Sequence, residues 1–461
     1  MLKSLTLTLA LMLPAANLVA GESQDVHEYM LKNGLKVIVK EDHRAPVVVS
    51  QVWYKVGSSY EHDGTTGISH ALEHMMFKGT AKHPAGEFSR IISENGGREN
   101  AFTGRDYTAY FQQLEKSRLH VSFELEADRM RNLLLNKKDF EKEIQVVMEE
   151  RRLRTEDDPQ SLTYEQFTAA AFVNSPYHHS VIGWMNDLQH LTVEDVRAWY
   201  ERWYAPNNAT VVVVGDVDPG HVLKLAKKYF GPLKPSDLAP LKPRNEIGQR
   251  GEKRIVVKAP AELPYIIMGY KTPVLDTADA DEEWEPYALE VLAAVLDGGD
   301  SARFSKELIR DKQIAASAGA GYNMTSRKED LFVLDGTPAK GHDITEVEGA
   351  LKDQIKRLHD TPVTADELAR IKAQVIASNV YQRDSVFYQA MQMGTLETVG
   401  LSWQLLDEYV DRIKDISAEQ VQKVARKYLN DDNLTVAILQ PLPLEGKPMH
   451  HPAMGGSPHD F

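Results

Sequence analysis

His70 and His74 stand four residues apart in the segment His70-Ala71-Leu72-Glu73-His74. On a helix that spacing places both imidazoles on one face, one turn apart, where they can reach a single cation. Glu73 sits between them in sequence, close enough to bear on a water at that cation. Neutral imidazoles and a carboxylate suit zinc, with a fourth position left open for water. A carboxylate beside such a site can take a proton from the water and pass it to a leaving amine. The alternative for two histidines on a helix is a solvated or internally satisfied pair. Gly67 before the motif and Met75-Met76-Phe77 after it favour a buried helix, and buried histidines need partners.

A third ligand has to come from elsewhere in the chain. Residues 139–155 read as a helix on which Glu143 and Glu150 are seven apart, two turns along one face, with Val146 and Val147 between them. Two carboxylates on a partly apolar face call for a cation. From spacing alone, charges on an ordinary solvated helix explain them equally well.

Composition narrows the class of protein. The chain has 461 residues, too many for one core, so at least two domains are expected. It is 42% hydrophobic and 26% charged, which fits a globular protein. Acidic residues outnumber basic ones 67 to 53, a net charge of −14, and no basic stripe suggests nucleic acid. There are no cysteines, which excludes thiolate zinc ligands, disulfides and a cysteine nucleophile. Residues 1–20, with Lys3, the apolar run Leu5–Leu13 and Ala20, read as a signal peptide, and no later segment looks able to span a membrane.

The elements that must position the site follow from local patterns. Residues 27–40 read as a hairpin turning at Asn33-Gly34. Pro46–Val56 reads as a central strand, Gly67–Phe77 as a helix and Asn100–Leu114 as a strand. Residues 116–155 read as one long helical stretch, Thr192–Tyr204 as a capped helix, and Ala209–Val214 as a buried strand. The chain turns proline-rich near residue 231. The expected division is a first domain at 25–235, a linker at 236–253, a second domain at 254–445 and a disordered tail at 446–461. A repeat supports it: Leu191-Thr192 to Val196 resembles Ile416-Ser417 to Val421, and without a gap Asn208 and Thr210 align with Asn433 and Thr435. The fold class expected is α+β, two homologous sandwich domains of mixed, largely antiparallel sheet with helices, related by duplication. His178-His179 reads as a surface loop rather than a second metal site, and His450-His451 as a loose pair in the tail.

The segment Gly67-Ile68-Ser69-His70-Ala71-Leu72-Glu73-His74-Met75-Met76-Phe77-Lys78-Gly79-Thr80 resembles the signature of the pitrilysin (insulinase-like) metallopeptidases. The similarity continues through Asn100-Ala101-Phe102-Thr103, Glu143 to Glu150, and Tyr204-Ala205-Pro206-Asn207-Asn208 to Gly215-Asp216. The resemblance implies that His70, His74 and Glu150 bind one zinc ion, that Glu73 is the general base, and that Glu143 is an auxiliary carboxylate. It implies that the strand at Asn100, Ala101 and Phe102 pairs with extended peptide substrates by edge addition. Family members form clamshells of four homologous domains, so a two-domain chain is expected to work as a homodimer or with a related partner subunit. With the signal peptide, the resemblance places the protein in a periplasm. One departure concerns the second half, where the family carries an Arg followed about seven residues later by a Tyr that stabilises the tetrahedral intermediate. Arg310 fits, but Ala316 and Ser317 stand where the Tyr is expected, and Tyr322 is five residues further on. The competing readings are therefore a weak or inactive subunit that needs a partner chain, and a peptide-binding, chaperone-like subunit.

Overall fold

The computed structural model describes residues 26–444. The expected signal peptide and C-terminal tail lie outside them.

The first half contains the strands β1 (Val26–Met30), β2 (Lys36–Glu41), β3 (Val47–Tyr54), β4 (Arg98–Thr103), β5 (Thr108–Glu115) and β6 (Ala209–Gly215). They form one sheet in the order β1-β2-β6-β3-β5-β4. The β1–β2 hairpin turns where Asn33-Gly34 predicts, with Gly34 at φ 88°, a conformation that favours glycine. Its run of four valines suits β6 to the centre of the sheet, where all seven of its residues are buried. The stretch Asn100–Leu114, expected to have strand character, is a hairpin of two strands. Gly104 to Tyr107 turn the chain, and β4 and β5 pair antiparallel with Asn100 opposite Phe111. The helical stretch expected over 116–155 is also divided. Helices Leu119–Asn132 and Lys137–Arg151 are separated at residues 133–136, and a π-helical turn, Arg152–Glu156, follows the second.

The second half contains β7 (Lys253–Pro260), β8 (Tyr265–Thr272), β9 (Ala315–Gly321), β10 (Asp330–Pro338) and β11 (Leu434–Leu442), in the order β7-β11-β8-β10-β9. Without β1, the first sheet has the same topology: β2, β6, β3, β5 and β4 correspond to β7, β11, β8, β10 and β9. The parallel pair (β2–β6, β7–β11) falls in the same place in each. The helices before β6 and β11, Val193–Trp203 and Ala418–Tyr428, both open with a reciprocal capping box, Thr192 with Asp195 and Ser417 with Gln420. The expected α+β duplication is thus what the fold displays. Residues 231–252 between the halves contain no helix or strand.

Each sheet packs its own helices on one face and a helix of the other half on the opposite face. Helix Val386–Val399, from the second half, lies on β3 and β6, where Ala390, Met391 and Met393 meet Val49, Trp53 and Val212. Helix Pro159–Ala171, from the first half, lies on β7 and β11, where Phe167 and Ala171 meet Ile267 and Ala437. The contacts invert large and small. Trp53 of β3 lies so close to Gly394 that a Cβ there would come within 2.1 Å of the indole. At the other contact the strand carries the glycine: a Cβ on Gly269 of β8 would come within 2.4 Å of Phe167. Trp53 and Gly269 occupy equivalent strand positions, opposite Thr210 and Thr435. Gly394 and Phe167 are each the ninth residue of their helix.

Candidate metal and catalytic site

The helix Ile68–Met75 carries His70, Glu73 and His74. It is short, and every residue but His74 is buried. Its N-terminus has no side-chain cap of its own, because Gly67 occupies the cap position at φ 85°. A side chain there would meet the Ile182 carbonyl at 2.4 Å. The cap comes from outside the helix. Glu61, fully buried, accepts from the Gly67 amide at 2.7 Å and the Ser69 amide at 2.8 Å, placing a carboxylate at the positive end of the helix dipole. Burial pushes the Glu61 carboxyl up to about 8, against the pull of those two amides. Replacing Glu61 with alanine leaves two buried N–H groups unpaired and is expected to cost about 1–3 kcal/mol in urea or thermal unfolding. A stability indistinguishable from the parent would show that water replaces the cap.

The second component is the helix Lys137–Arg151, capped by the Asn136 side chain on the Asp139 amide. Phe140, Ile144, Val147, Met148 and Arg151 are buried, while Val146 is half exposed. Glu143 and Glu150 flank the buried face, aimed at the histidine helix. Buried Arg151 anchors the end of this helix with a bidentate pair to Glu165 (2.7 and 2.9 Å) and a bond to the Gly183 carbonyl.

These helices bring one donor atom each from His70, His74 and Glu150 within 4.8 Å of one another. Glu150 Oε2 lies 3.3 Å from His74 Nε2 and 3.8 Å from His70 Nε2, and its other oxygen forms an ion pair with Arg154 at 2.8 Å. On the far side of the His74 ring, Nδ1 is 3.0 Å from Glu143 Oε1. A carboxylate can only accept, so Nδ1 is the donor and Nε2 is turned toward Glu150. Lys78 holds the second Glu143 oxygen at 2.5 Å. Burial raises the Glu150 carboxyl, but the His74 hydrogen bond and the charges of His70 and Arg154 outweigh it and bring it down to about 2. For His74, burial opposes the charge, yet the bonds to Glu150 and Glu143 leave its pKa raised. His74 Nε2 and Glu150 Oε2, 3.3 Å apart and each fixed from behind, hold a proton between them or, once Nε2 gives it up, a metal cation.

Glu73 is 6% exposed and accepts from the Thr103 hydroxyl at 2.5 Å. Burial pushes its carboxyl up to about 7 against that bond. Thr103 ends β4, the outermost strand, whose far edge pairs with no other strand among the described residues. Ala101 and Phe102 have buried side chains, and Phe102 packs edge-on against Trp53 with ring centroids 5.3 Å apart. What this strand offers at its edge is backbone.

Sequence reasoning missed Glu61, Thr103, Lys78 and Arg154. Only Arg154 had a local signal, since it continues the 143–147–150 face by one more turn. Arg310 is not brought to this cluster: it is exposed on the π-helical turn Phe304–Asp311 of the second half. Ser317 lies in β9, and the Tyr322 hydroxyl donates to the Pro273 carbonyl at 2.6 Å. His178-His179 is also not the surface loop expected. Pro176, Tyr177 and His179 are buried, and His179 Nδ1 lies 3.2 Å from the Ser180 carbonyl.

The chain resembles known peptidases over most of its length. A family model described as "Insulinase (Peptidase family M16)" matches residues 36–183, and one described as "Peptidase M16 inactive domain" matches residues 190–375. The zinc protease PqqE of Helicobacter pylori is 35% identical over 419 residues, covering 89% of this chain and 92% of that protein. An uncharacterized zinc protease of Rickettsia felis is 28% identical over 418 residues, covering 90% and 98%. A crystal structure of a protease from Helicobacter pylori superposes with a TM-score of 0.85 at 32% identity, over 90% of this chain and 99% of that one. The periplasmic protease PqqL of Escherichia coli shares the fold, with a TM-score of 0.77 at 18% identity, over 91% of this chain and 48% of that one. With this identity over nearly its whole length, and with both family models matched in order, the chain belongs to the insulinase-type peptidase family M16.

Proposed function

We propose that the protein is a zinc-dependent endopeptidase that hydrolyses extended or unfolded peptides, with its chemistry in the first domain (25–235) and the linker (236–253) joining it to a homologous second domain (254–445). The observation that carries this reading is the convergence of His70, His74 and Glu150 beside the buried carboxylate of Glu73. Two imidazoles and one carboxylate are a donor set suited to zinc with an open position. A zinc ion held there supplies Lewis acidity to a water and to the scissile carbonyl.

The chain's own residues do the rest. Glu73, held by Thr103, takes a proton from the attacking water and returns it to the leaving nitrogen. Glu143 keeps the His74 ring in the orientation that presents Nε2, and Lys78 keeps Glu143 in place. The free edge of β4 at Asn100, Ala101 and Phe102 accepts an extended peptide by main-chain pairing, next to Glu73. Arg310, exposed on the second half, acts on an intermediate when a second chain presents it.

That position of Arg310, with Ser317 in place of the family Tyr, favours one second reading: the chain gains full activity in a dimer with itself or with a related subunit. The exported, periplasmic location rests on the signal-peptide pattern. It is compatible with the absence, among the described residues, of any helix long and apolar enough to cross a membrane.

The test is turnover of quenched fluorescent peptides by the purified chain. Chelation is expected to abolish cleavage and one equivalent of zinc to restore it. No cleavage despite one bound zinc per chain would favour the partner-dependent reading. Replacing Glu143 with glutamine is expected to weaken zinc binding by roughly 10–100-fold, read by competition with a chromophoric chelator. Unchanged affinity would remove Glu143 from the metal support.

A further inference from the structure

A cavity of about 1310 Å³ lies between the two halves. It does not contain the His70–His74–Glu150 cluster. It begins at Thr103, the residue that holds Glu73, and runs past the Gly104–Tyr107 turn into the second half. Four charged residues line it: Arg105, Asp106, Asp330 and Glu290. Three of them are already neutralised. Arg105 pairs with Asp330 at 3.1 Å, and Asp106 with Arg327 at 3.3 Å.

Glu290 differs from the other three. It is the only charged residue inside the helix Glu285–Asp297, which is otherwise apolar between its ends. Among the described residues it has no ion-pair partner. Its one hydrogen bond comes from the Tyr409 hydroxyl, at 2.5 Å. Tyr287, Tyr322 and Tyr388 line the cavity with it and with Tyr409. Burial raises the Glu290 carboxyl against the Tyr409 bond. Burial, with a contribution from the Glu290 charge, raises all four phenols. An acid without a counter-ion, set among aromatic rings, is the chemistry that receives an organic cation. The rings attract it through their faces, and the carboxylate accepts its N–H groups.

We propose that Glu290, with Tyr287, Tyr322, Tyr388 and Tyr409, forms a subsite that binds the side chain of a lysine or arginine of the peptide substrate. The inference rests on the peptidase reading, because the subsite is reached from the end of β4, where the peptide is held. It assigns a specificity role to the second half, which carries none of the metal-binding histidines.

The experiment uses the full chain, zinc-loaded, with sets of quenched peptides that differ at one position. Lysine or arginine is replaced there by the uncharged norleucine or citrulline, and the position is moved along the peptide. At one fixed distance from the cut, the basic peptide is expected to have a kcat/KM higher by about tenfold. Glu290→Gln is expected to remove that preference while still cleaving the norleucine peptide, and Tyr409→Phe to reduce it. Melting temperatures of the variants close to the parent show that folding is intact. Equal cleavage of basic and neutral peptides by the parent would overturn the subsite and leave the peptidase reading standing, as would a preference that survives Glu290→Gln. If the parent cleaves neither peptide, the reading of a self-sufficient peptidase gives way to the partner-dependent one, and fluorescence anisotropy of the same labelled peptides decides the subsite. Tighter binding of the basic peptide, lost in Glu290→Gln, supports it, and equal binding sinks it.

Discussion

Exchanging Glu73 for glutamine is expected to lower peptide turnover by roughly 10²–10⁴-fold, the range that a positioned general base contributes. The proposed ligand atoms of His70, His74 and Glu150 are untouched by this change, so the variant is expected to keep one zinc ion per chain. The glutamine carbonyl can still accept from Thr103, so the melting temperature is expected to stay near that of the parent. The contrast with His74→Ala separates chemistry from metal binding, since that variant loses zinc and turnover together. Zinc analysis, thermal melting and peptide cleavage on the same preparations read all three properties. Parent-like turnover in the Glu73 variant would remove it as the base.

Trp53→Ala is expected to cost about 3–5 kcal/mol, the usual penalty for removing a large buried ring. Trp53 is fully buried, its indole N–H donates to Gln51 at 2.8 Å, and Phe102 and Tyr107 pack edge-on against it. Its loss empties the surface on which helix Val386–Val399 lies. The damage therefore reaches the contact between halves as well as the first sheet. Urea unfolding followed by tryptophan fluorescence and by circular dichroism measures the effect. Gly394→Leu should act in the same direction by overpacking the same contact, since even a Cβ there meets the ring at 2.1 Å. A loss below about 1 kcal/mol for Trp53→Ala would mean that the helix settles into the space left by the ring.

How legible the site was depended on the distance over which each interaction acts. The His-x-x-Glu-His spacing is readable because one helix turn sets it. The capping boxes at Thr192 and Ser417 and the turn at Asn33-Gly34 are equally local, and they are present in the fold. Glu143 and Glu150 were visible as a shared face, but their direction was not, since the packing of two helices decides it. Glu61 could not be found. It stands in Glu61-His62-Asp63, which reads as a polar turn, and gains its role only because Gly67 leaves the helix start open. The turn inside Asn100–Leu114 was not legible because Gly104 alone is a weak turn signal, and the turn is stabilised from outside by the contacts of Arg105 and Asp106 with Asp330 and Arg327. Arg310 carries no spacing information about the metal site, because it lies in the other half.

The inverted large and small residues at the two inter-half contacts decide which halves can combine. Two first halves facing each other would set Phe167 against Trp53, with two bulky rings competing for one space. Two second halves would set Gly394 against Gly269 and leave a void. Only unlike halves fit, so the pair discriminates against self-assembly of either half by steric exclusion on one side and lost contact on the other. The rule does not depend on the covalent link through residues 231–252. A second half of the same chain or of another copy presents the same complementary surface to a first half, which leaves three-dimensional domain swapping between copies as a sterically permitted route of assembly.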